Sequence, residues 1–310
     1  MFKWNQHKSY LQIVTFLFST LLFSQSDVKL SSFFLTPLTH NPAYAGSYEG
    51  ISITSLYTSQ WVGFDGAPKT LFFNAHGTFF GPNTGIGVEV MHDEIGVTTD
   101  TKFLGNYAYH LQLNENWRLA LGIKAGAVWY SVDYNKLRIQ NPNEFNNFEG
   151  TLTSINPNLG TGIYLHNKDF YLGFGVPNIL NSTYIDSYNT TLANSRPNYY
   201  FSSGYKFNLQ DDISLQPSVL FRMVKGAPLS ALFAGTLNWQ DKMYGSLNLD
   251  LNATAGGFVG IRFAEKFLLG YSYDSSINKF SGSNGGIHSF FLNIRLEDFW
   301  QRERCGCYTF

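Results

Sequence analysis

Histidine is the residue type in this sequence that could most readily support catalysis. Of the seven histidines, four are considered for chemistry, at His92, His110, His166 and His288, and the last is followed directly by Ser289. Adjacent residues of a strand point to opposite faces, so His288 and Ser289 cannot form a nucleophile–base pair. The sequence also lacks the Gly-x-Ser-x-Gly, His-Glu-x-x-His and phosphate-binding glycine-loop motifs. We therefore predict no catalytic residue, no metal site and no cofactor, and expect that the protein is not an enzyme.

The two cysteines, Cys305 and Cys307, lie together in the C-terminal tail. A Cys-x-Cys pair is compatible with a strained local disulfide, with half of an intermolecular link or with half of a metal site. In none of these cases would it hold the body of the fold together.

Composition narrows the class of protein. Of the 310 residues, 17% are aromatic and only 14% are charged, which is about half the usual charged share. Hydrophobic residues make up 44%, yet the mean hydropathy is slightly negative. The net charge is −1 and no basic patch is clustered, which disfavours nucleic acid as a partner. An outer-membrane β-barrel fits these values, because its apolar and polar residues alternate and their average conceals both.

Residues 1–26 have the pattern of an export signal. Lys3 and Lys8 precede an apolar run at 11–23, and small or polar residues follow at 24–26. The run is about 13 residues long, shorter than the ~20 that a membrane-spanning helix needs. We therefore expect the mature chain to enter the membrane as closed strands, and not as helices.

Strict alternation of apolar and polar residues recurs along most of the mature chain. It is clear in 117–129, 212–224, 243–252 and 285–296, where one face is apolar and the other is small or polar. The pattern predicts an all-β fold, a transmembrane barrel of about 14 antiparallel strands within residues 50–297. A soluble sandwich or propeller would also alternate, but would not concentrate aromatic residues on one face.

The predicted connections fall into two classes. Six are tight polar turns, and those that alternate with them are mostly longer, notably 131–156 and 177–197, with shorter gaps at 62–69, 94–100 and 276–284. Outer-membrane barrels have short periplasmic turns and longer extracellular loops, so we expect both termini, including the tail 298–310, to be periplasmic. The asparagine-rich loop 134–156 is either a solvated loop or a docking surface for an exported protein.

The predicted lumen is lined by many glycines and by charges of mixed sign. Glycine at an inward position lets the wall bend or lets another segment approach closely. A pore selective for one sign of ion would carry a ring of like charges, and none is visible. We predict that the lumen is plugged, either by residues 27–49 or by the loop 131–156. The domain order is then a signal, the segment 27–49, the barrel 50–297 and the tail 298–310.

The most specific motif is the Pro-punctuated stretch Phe33–Gly46, which ends in Asn-Pro-Ala-Tyr-Ala-Gly. It resembles the start of the PorP/SprF family of type IX secretion and gliding-motility proteins of Bacteroidetes. The resemblance continues through Ala67-Pro68, Val176-Pro177-Asn178 and a tail that ends in Phe310, although that tail departs in its Cys-Gly-Cys. It marks these residues as structural or partner-binding: Pro37, Asn41, Pro42, Ala43, Tyr44, Gly46, Gln60 and Trp61.

The resemblance implies an outer-membrane component of type IX secretion that assists the export or surface anchoring of a secreted adhesin-like protein. Its expected partners are a large adhesin with a C-terminal sorting domain, periplasmic peptidoglycan-binding or motor components of the system, and the lipid bilayer. Nucleic acid is not expected. The alternative is an outer-membrane channel for hydrophobic or small solutes.

Overall fold

The computed structural model describes residues 32–48, 50–137, 150–185, 191–251, 253–277 and 285–296. The predicted signal 1–26 and the tail 298–310, with Cys305 and Cys307, lie outside these residues. Among the residues described, no helix is long and apolar enough to cross a membrane.

Nearly all of the described chain is β-strand. The strands are β1 (Ile51–Gln60), β2 (Lys69–Thr78), β3 (Thr84–Ile95), β4 (Thr98–Gln112), β5 (Arg118–Asp133), β6 (Thr151–His166), β7 (Phe170–Val176), β8 (Ser182–Ile185), β9 (Thr191–Ser195), β10 (Asn198–Tyr205), β11 (Phe207–Gln210), β12 (Ile213–Val224), β13 (Ser230–Trp239), β14 (Met243–Asp250), β15 (Thr254–Phe263), β16 (Phe267–Ser276) and β17 (Ile287–Leu296).

The strands form one closed antiparallel sheet. Strands β1 to β7 and β11 to β17 each pair with their neighbours in sequence, β1 pairs with β17, and β10 pairs with both β7 and β12, which closes the circle. β10 and β11 are one strand interrupted at Lys206, and β8 and β9 form a separate hairpin. The described chain is therefore a barrel of 14 antiparallel strands, as predicted. Closure pairs the two edge strands, so their backbone N–H and C=O groups are hydrogen-bonded. In an open sheet those groups would be left without partners in the lipid.

The two faces of the wall differ as the alternation predicts. Outward side chains such as Leu121, Ile123, Leu247 and Val259 are 46–78% exposed and apolar. The inward positions between them hold buried glycine, serine, asparagine and charged residues. An apolar outer face against a polar inner one is the arrangement that a barrel in a bilayer requires.

The connections separate onto the two ends of the barrel. One end, called here the turn end, carries 79–83, 113–117, 167–169, 211–212, 240–242 and 264–266. The other, the loop end, carries 61–68, 96–97, 134–150, 177–197, 225–229, 251–253 and 277–286.

Two of the predicted longer loops are shorter than expected. The gap 94–100 is a two-residue turn at Gly96-Val97, because β3 and β4 run on to Ile95 and from Thr98, and Gly96 has a positive φ of 61°. The gap 131–156 shrinks to 134–150, since β5 and β6 pair from Asp133 and Thr151 onward. Polar residues at the end of a strand keep their β-sheet hydrogen bonds wherever a partner strand lies opposite them. A prediction that ends each strand at its first polar residues therefore makes the strands too short. Residues 138–149 of that loop lie outside the described residues.

Candidate functional site

Residues 32–48, called here the lumenal segment, lie inside the barrel. Phe33 is 3% exposed, Leu38, Ala43 and Ala45 are fully buried, and Asn41 is 2% exposed. The segment has short helical turns at Phe33–Leu35, Pro37–His40 and Pro42–Tyr44. Proline stands first in the last two, where its fixed φ suits a helix start and its missing N–H leaves no donor unpaired.

Wall glycines make room for the backbone of the lumenal segment. A Cβ on Gly122 would lie 2.2 Å from the nitrogen of Ala43, and one on Gly175 would lie 2.1 Å from the carbonyl oxygen of His40. A Cβ on Gly85 would be 2.0 Å from the carbonyl oxygen of Ala45. These distances are far below van der Waals contact, so any other residue at these wall positions displaces the segment or the wall.

Asn41 links the lumenal segment to the wall and to itself. Its Nδ2 donates to the carbonyl oxygen of Ile163 at 3.0 Å, and its Oδ1 accepts from the amide of Ala43 at 3.0 Å. The second bond is the side-chain cap of the turn that begins at Pro42. A Cβ on Gly162 would lie 2.1 Å from that Oδ1, so this glycine provides the space for the asparagine amide.

A buried ion pair holds the centre of the lumenal segment. Lys124 of β5 has a fully buried ammonium, which lies 3.2 Å from both carboxylate oxygens of Glu89 on β3. The same ammonium donates to the carbonyl oxygens of Leu38 at 3.0 Å and Thr39 at 3.2 Å. The three donors of the lysine are thereby used by the wall carboxylate and the segment backbone, which is what a buried charge requires.

Three histidines contact or belong to the lumenal segment. The amide of Gly46 donates to Nδ1 of His76 at 3.2 Å, and Nε2 of His110 donates to the carbonyl oxygen of Ala45 at 2.8 Å. His40, on the segment, is 7% exposed and its ring lies 5.8 Å from that of Tyr200. Burial, and secondarily the Lys124 ammonium, lowers the pKa of His40 from 6.5 to about 3, so the docked segment carries it neutral.

The first residues of the lumenal segment are held by apolar contacts. Phe33 packs with Leu220 and Leu232 of β12 and β13. The Phe34 ring meets that of Phe258 on β15 edge to face, with centroids 6.0 Å apart. The lumenal segment therefore contacts β12, β13 and β15 on one side of the barrel and β3, β5, β6 and β7 on the other.

The predicted motif residues fall into two separate places. Pro37, Asn41, Pro42, Ala43, Tyr44 and Gly46 all lie in the lumenal segment. Gln60 and Trp61 lie at the loop end, where the Trp61 amide donates to the carbonyl oxygen of Gly286 at 2.8 Å and its φ is +49°.

Glu89 and Lys124 are two of the inward charges of mixed sign that the alternation predicts, and the sequence does not pair them. Alternation places both inward, but their separation by 35 residues gives no local signal of contact. Three of the histidines first considered for chemistry have ordinary hydrogen-bond partners: His92 bonds Thr101 at 2.7 Å, His288 bonds Tyr271 at 2.6 Å and His110 bonds Ala45. His166 has ring contacts with Tyr164 and His110, and its Nε2 has no hydrogen-bond partner. Within the described residues no group of three or more histidine, cysteine or acidic side chains could hold a metal.

Comparisons with known proteins agree with the predicted family. A family model described as Type IX secretion system membrane protein PorP/SprF matches residues 22–294. No curated protein matches the chain.

Among solved structures, the chain is similar to the Ralstonia pickettii toluene transporter TbuX, with 10% identity, a TM-score of 0.48 and coverage of 83% of this chain and 92% of that one. It is also similar to the Acinetobacter baumannii outer membrane protein Omp33, with 9% identity, a TM-score of 0.46 and coverage of 80% and 98%. A Pseudomonas aeruginosa FadL homologue matches at 12% identity and a TM-score of 0.43, over 82% and 92%.

The family match covers most of the chain, and the fold is a closed barrel with an apolar outer face. The chain belongs to the PorP/SprF family of type IX secretion system membrane proteins and is an outer-membrane β-barrel.

Proposed function

We propose that this barrel is a closed docking component of type IX secretion. It binds a large secreted adhesin through that protein's C-terminal sorting domain, and so assists the adhesin's export or holds it at the cell surface. The turn end, where β1 begins and β17 ends, faces the periplasm, and the loop end faces outward; both chain termini are then expected to be periplasmic. Periplasmic components of the secretion system are the second class of partner, reached from the turn end.

The observation that carries this proposal is the lumenal segment. Its backbone lies against wall glycines, and hydrogen bonds through Lys124 and Asn41 join it to the wall. Phe33 and Phe34 pack against the opposite wall. A barrel whose lumen is occupied in this way acts through its surfaces, because a solute path along the axis requires the segment to leave.

The loop β1–β2 is the best-supported docking surface among the described residues. Trp61, Val62 and Phe64 are 45%, 49% and 56% exposed, and all three follow β1 within four residues. Exposed aromatic side chains that project from a rigid scaffold are typical anchors of protein interfaces. Trp61 also belongs to the motif that the family resemblance marks.

The test is affinity capture of the tagged protein from detergent-solubilised outer membranes, followed by mass spectrometry. We expect one large secreted protein to be recovered, and Trp61→Ala to reduce its recovery about tenfold or more, the usual cost of losing an aromatic anchor. Trp239→Ala is the matched control, because Trp239 is 48% exposed but ends β13 at the turn end. Equal loss in both variants would show that the loop β1–β2 is not the docking surface.

The other components recovered separate the possible roles. Recovery of peptidoglycan-binding and motor components without an adhesin would assign the protein to the core apparatus. If no type IX component is recovered and the purified protein conducts steadily in planar bilayers, the docking role is refuted and the channel alternative replaces it.

Orientation is tested by labelling single cysteines in intact cells. We expect a membrane-impermeant maleimide to label Phe64→Cys at the loop end and not Lys242→Cys at the turn end, both made with Cys305 and Cys307 changed to serine. Labelling of the turn-end position alone would reverse the assigned orientation.

A further inference from the structure

A cavity of about 300 Å³ lies between the lumenal segment and the barrel wall. Strands β15 and β17 supply Arg262 and Arg295 to its lining, and Tyr48 and Tyr244 lie beside them. Tyr48, Tyr244 and Arg295 are only partly buried, so they form the side of the cavity nearest the turn end. The lining contains no aspartate or glutamate among the described residues.

Arg262 is the unusual residue of this cavity. It is 6% exposed, and neither of its Nη atoms has a hydrogen-bond acceptor. Its Nε donates to the Tyr244 hydroxyl at 3.2 Å, and its guanidinium carbon lies 5.4 Å from the centre of the Tyr244 ring. These contacts orient the side chain but leave unused the pair of N–H groups that arginine uses for bidentate binding of carboxylate or phosphate.

The nearest carboxylate does not neutralise Arg262. Asp241 approaches only Nε, at 3.9 Å, and its side chain is 63% exposed, so water screens the attraction. Asp241 instead accepts a hydrogen bond from the Tyr244 hydroxyl. A buried guanidinium whose carboxylate partner is exposed and 3.9 Å away is costly, and an anion bound to its Nη atoms would offset that cost.

Arg295 adds a second positive charge to the same wall. Its guanidinium carbon lies 5.2 Å from the centre of the Tyr48 ring. In the sheet, Arg262 of β15 lies opposite Leu268 of β16, which lies opposite Asn293 of β17. Arg295 is two residues beyond Asn293 and faces inward like it. The two arginines are therefore separated by one intervening strand and by two residues, or about 7 Å, along the strand direction.

A second unpaired polar atom lines this cavity. Asn74 of β2 is 2% exposed, and its Oδ1 has no donor. The register continues from Asn293 to Thr54 on β1 and from Thr54 to Asn74, so this acceptor lines the same cavity from a strand two places beyond β17. The cavity thus offers unpaired donors for an oxyanion and an unpaired acceptor for a hydroxyl or N–H group.

We propose that this cavity is a binding site for a small hydroxylated oxyanion, a phosphate or carboxylate group held by Arg262 and Arg295, with its hydroxyl donating to Asn74. The ligand reaches the site from the turn end, where the partly buried rim lies. Glycerol phosphate has this chemistry both as a free solute and as the headgroup of an anionic phospholipid. The site is independent of the docking role proposed above.

The test uses the full-length protein in nanodiscs of a zwitterionic lipid. Isothermal titration with glycerol 3-phosphate is expected to give saturable binding. Arg262→Gln should weaken that binding roughly 10- to 100-fold, the usual effect of removing a charged hydrogen-bond partner. Lys266→Gln removes the same charge from an exposed turn-end position and should leave the binding unchanged.

A second measurement separates the proposal from a folding defect and identifies the source of the ligand. Without ligand, Arg262→Gln should unfold at a higher temperature than the native protein, because it removes an uncompensated buried charge. With saturating ligand the order should reverse. An Arg262-dependent shift that appears only in nanodiscs containing phosphatidylglycerol would assign the site to a lipid headgroup. The proposal is overturned if neither the solute nor the anionic lipid binds, or if both bind Arg262→Gln as well as the native protein.

Discussion

Gly122→Ala should release the lumenal segment while leaving the barrel wall intact. The added Cβ would lie 2.2 Å from the nitrogen and 2.5 Å from the Cα of Ala43. Ordinary van der Waals contact begins at 3.4 Å, so the segment must move by about 1.2 Å, the difference between 3.4 and 2.2 Å. The wall itself is fixed on both sides, because β5 pairs with β4 and β6 along its length.

The cost of that shift follows from the bonds near Ala43. Overpacking by one carbon typically costs about 1–3 kcal/mol. The Asn41 bond to Ile163 and the Lys124 bond to Leu38 are both 3.0 Å long, and a shift of this size takes them beyond hydrogen-bonding distance. Each is worth about 1 kcal/mol. A total of at least about 3 kcal/mol corresponds to a rise of at least roughly 100-fold in the population of barrels with an undocked segment.

The assay is chymotrypsin cleavage of the folded protein in micelles, with the cut sites identified by mass spectrometry. Cleavage at Phe33, Phe34 or Tyr44 reports the undocked population when opening and closing are faster than the protease. Gly105→Ala is the matched control, since Gly105 faces outward and its Cβ would have only the Ala125 carbonyl oxygen nearby, at 3.8 Å. Planar-bilayer recordings should show channel openings for Gly122→Ala and not for the control.

Two results would refute this reasoning. If Gly122→Ala and Gly105→Ala are cleaved at equal rates while both remain folded, the wall glycine is not what seats the segment. If Gly122→Ala is cleaved faster but stays closed in bilayers, then the segment does not block conduction, and the observation behind the docking proposal is lost.

Further predictions concern the polar contacts of the same segment. Glu89→Gln should lower the free energy of unfolding by about 3–5 kcal/mol, since it leaves the buried Lys124 ammonium without its counter-ion. The double change Glu89→Gln with Lys124→Met should cost less than Glu89→Gln alone in denaturant unfolding in micelles; an additive loss would contradict the pairing. Docking should also depend on pH through His40, whose pKa is about 3 in the docked segment and 6.5 when free. The His40 contribution to the docking free energy is therefore fully present above pH 6.5 and falls by about 1.4 kcal/mol per unit as the pH drops toward 3, or about 2 kcal/mol at pH 5. Channel opening in bilayers should rise accordingly between pH 7 and 5, and His40→Gln should flatten that rise; an unchanged slope in the variant would exclude His40 as its source.

The sequence was sufficient to predict the barrel because the relevant signal is local. Period-two alternation records, residue by residue, which side chains meet lipid, and the glycine and asparagine turns mark where strands reverse. These patterns predicted 14 strands and the two classes of connection. The patterns misplaced strand ends where a polar stretch is still hydrogen-bonded to a neighbouring strand, as at the start of β6. That start depends on the residues of β5 that lie opposite, which the sequence of β6 alone does not reveal.

The sequence predicted that a segment fills the lumen, but it did not predict the contacts of that segment. Inward glycines indicated that another segment approaches the wall, but not which residue meets which glycine. The bond between Asn41 and Ile163 joins residues 122 apart, and the Lys124 contact with Leu38 joins residues 86 apart.

Only closure of the sheet brings such residues together. Whether Lys124 meets a buried carboxylate while the Nη atoms of Arg262 meet no acceptor depends on which strands become neighbours across the barrel. Alternation places both side chains inward with equal clarity, and the strand register and the path of the lumenal segment decide that the first meets Glu89 while the second faces an open cavity.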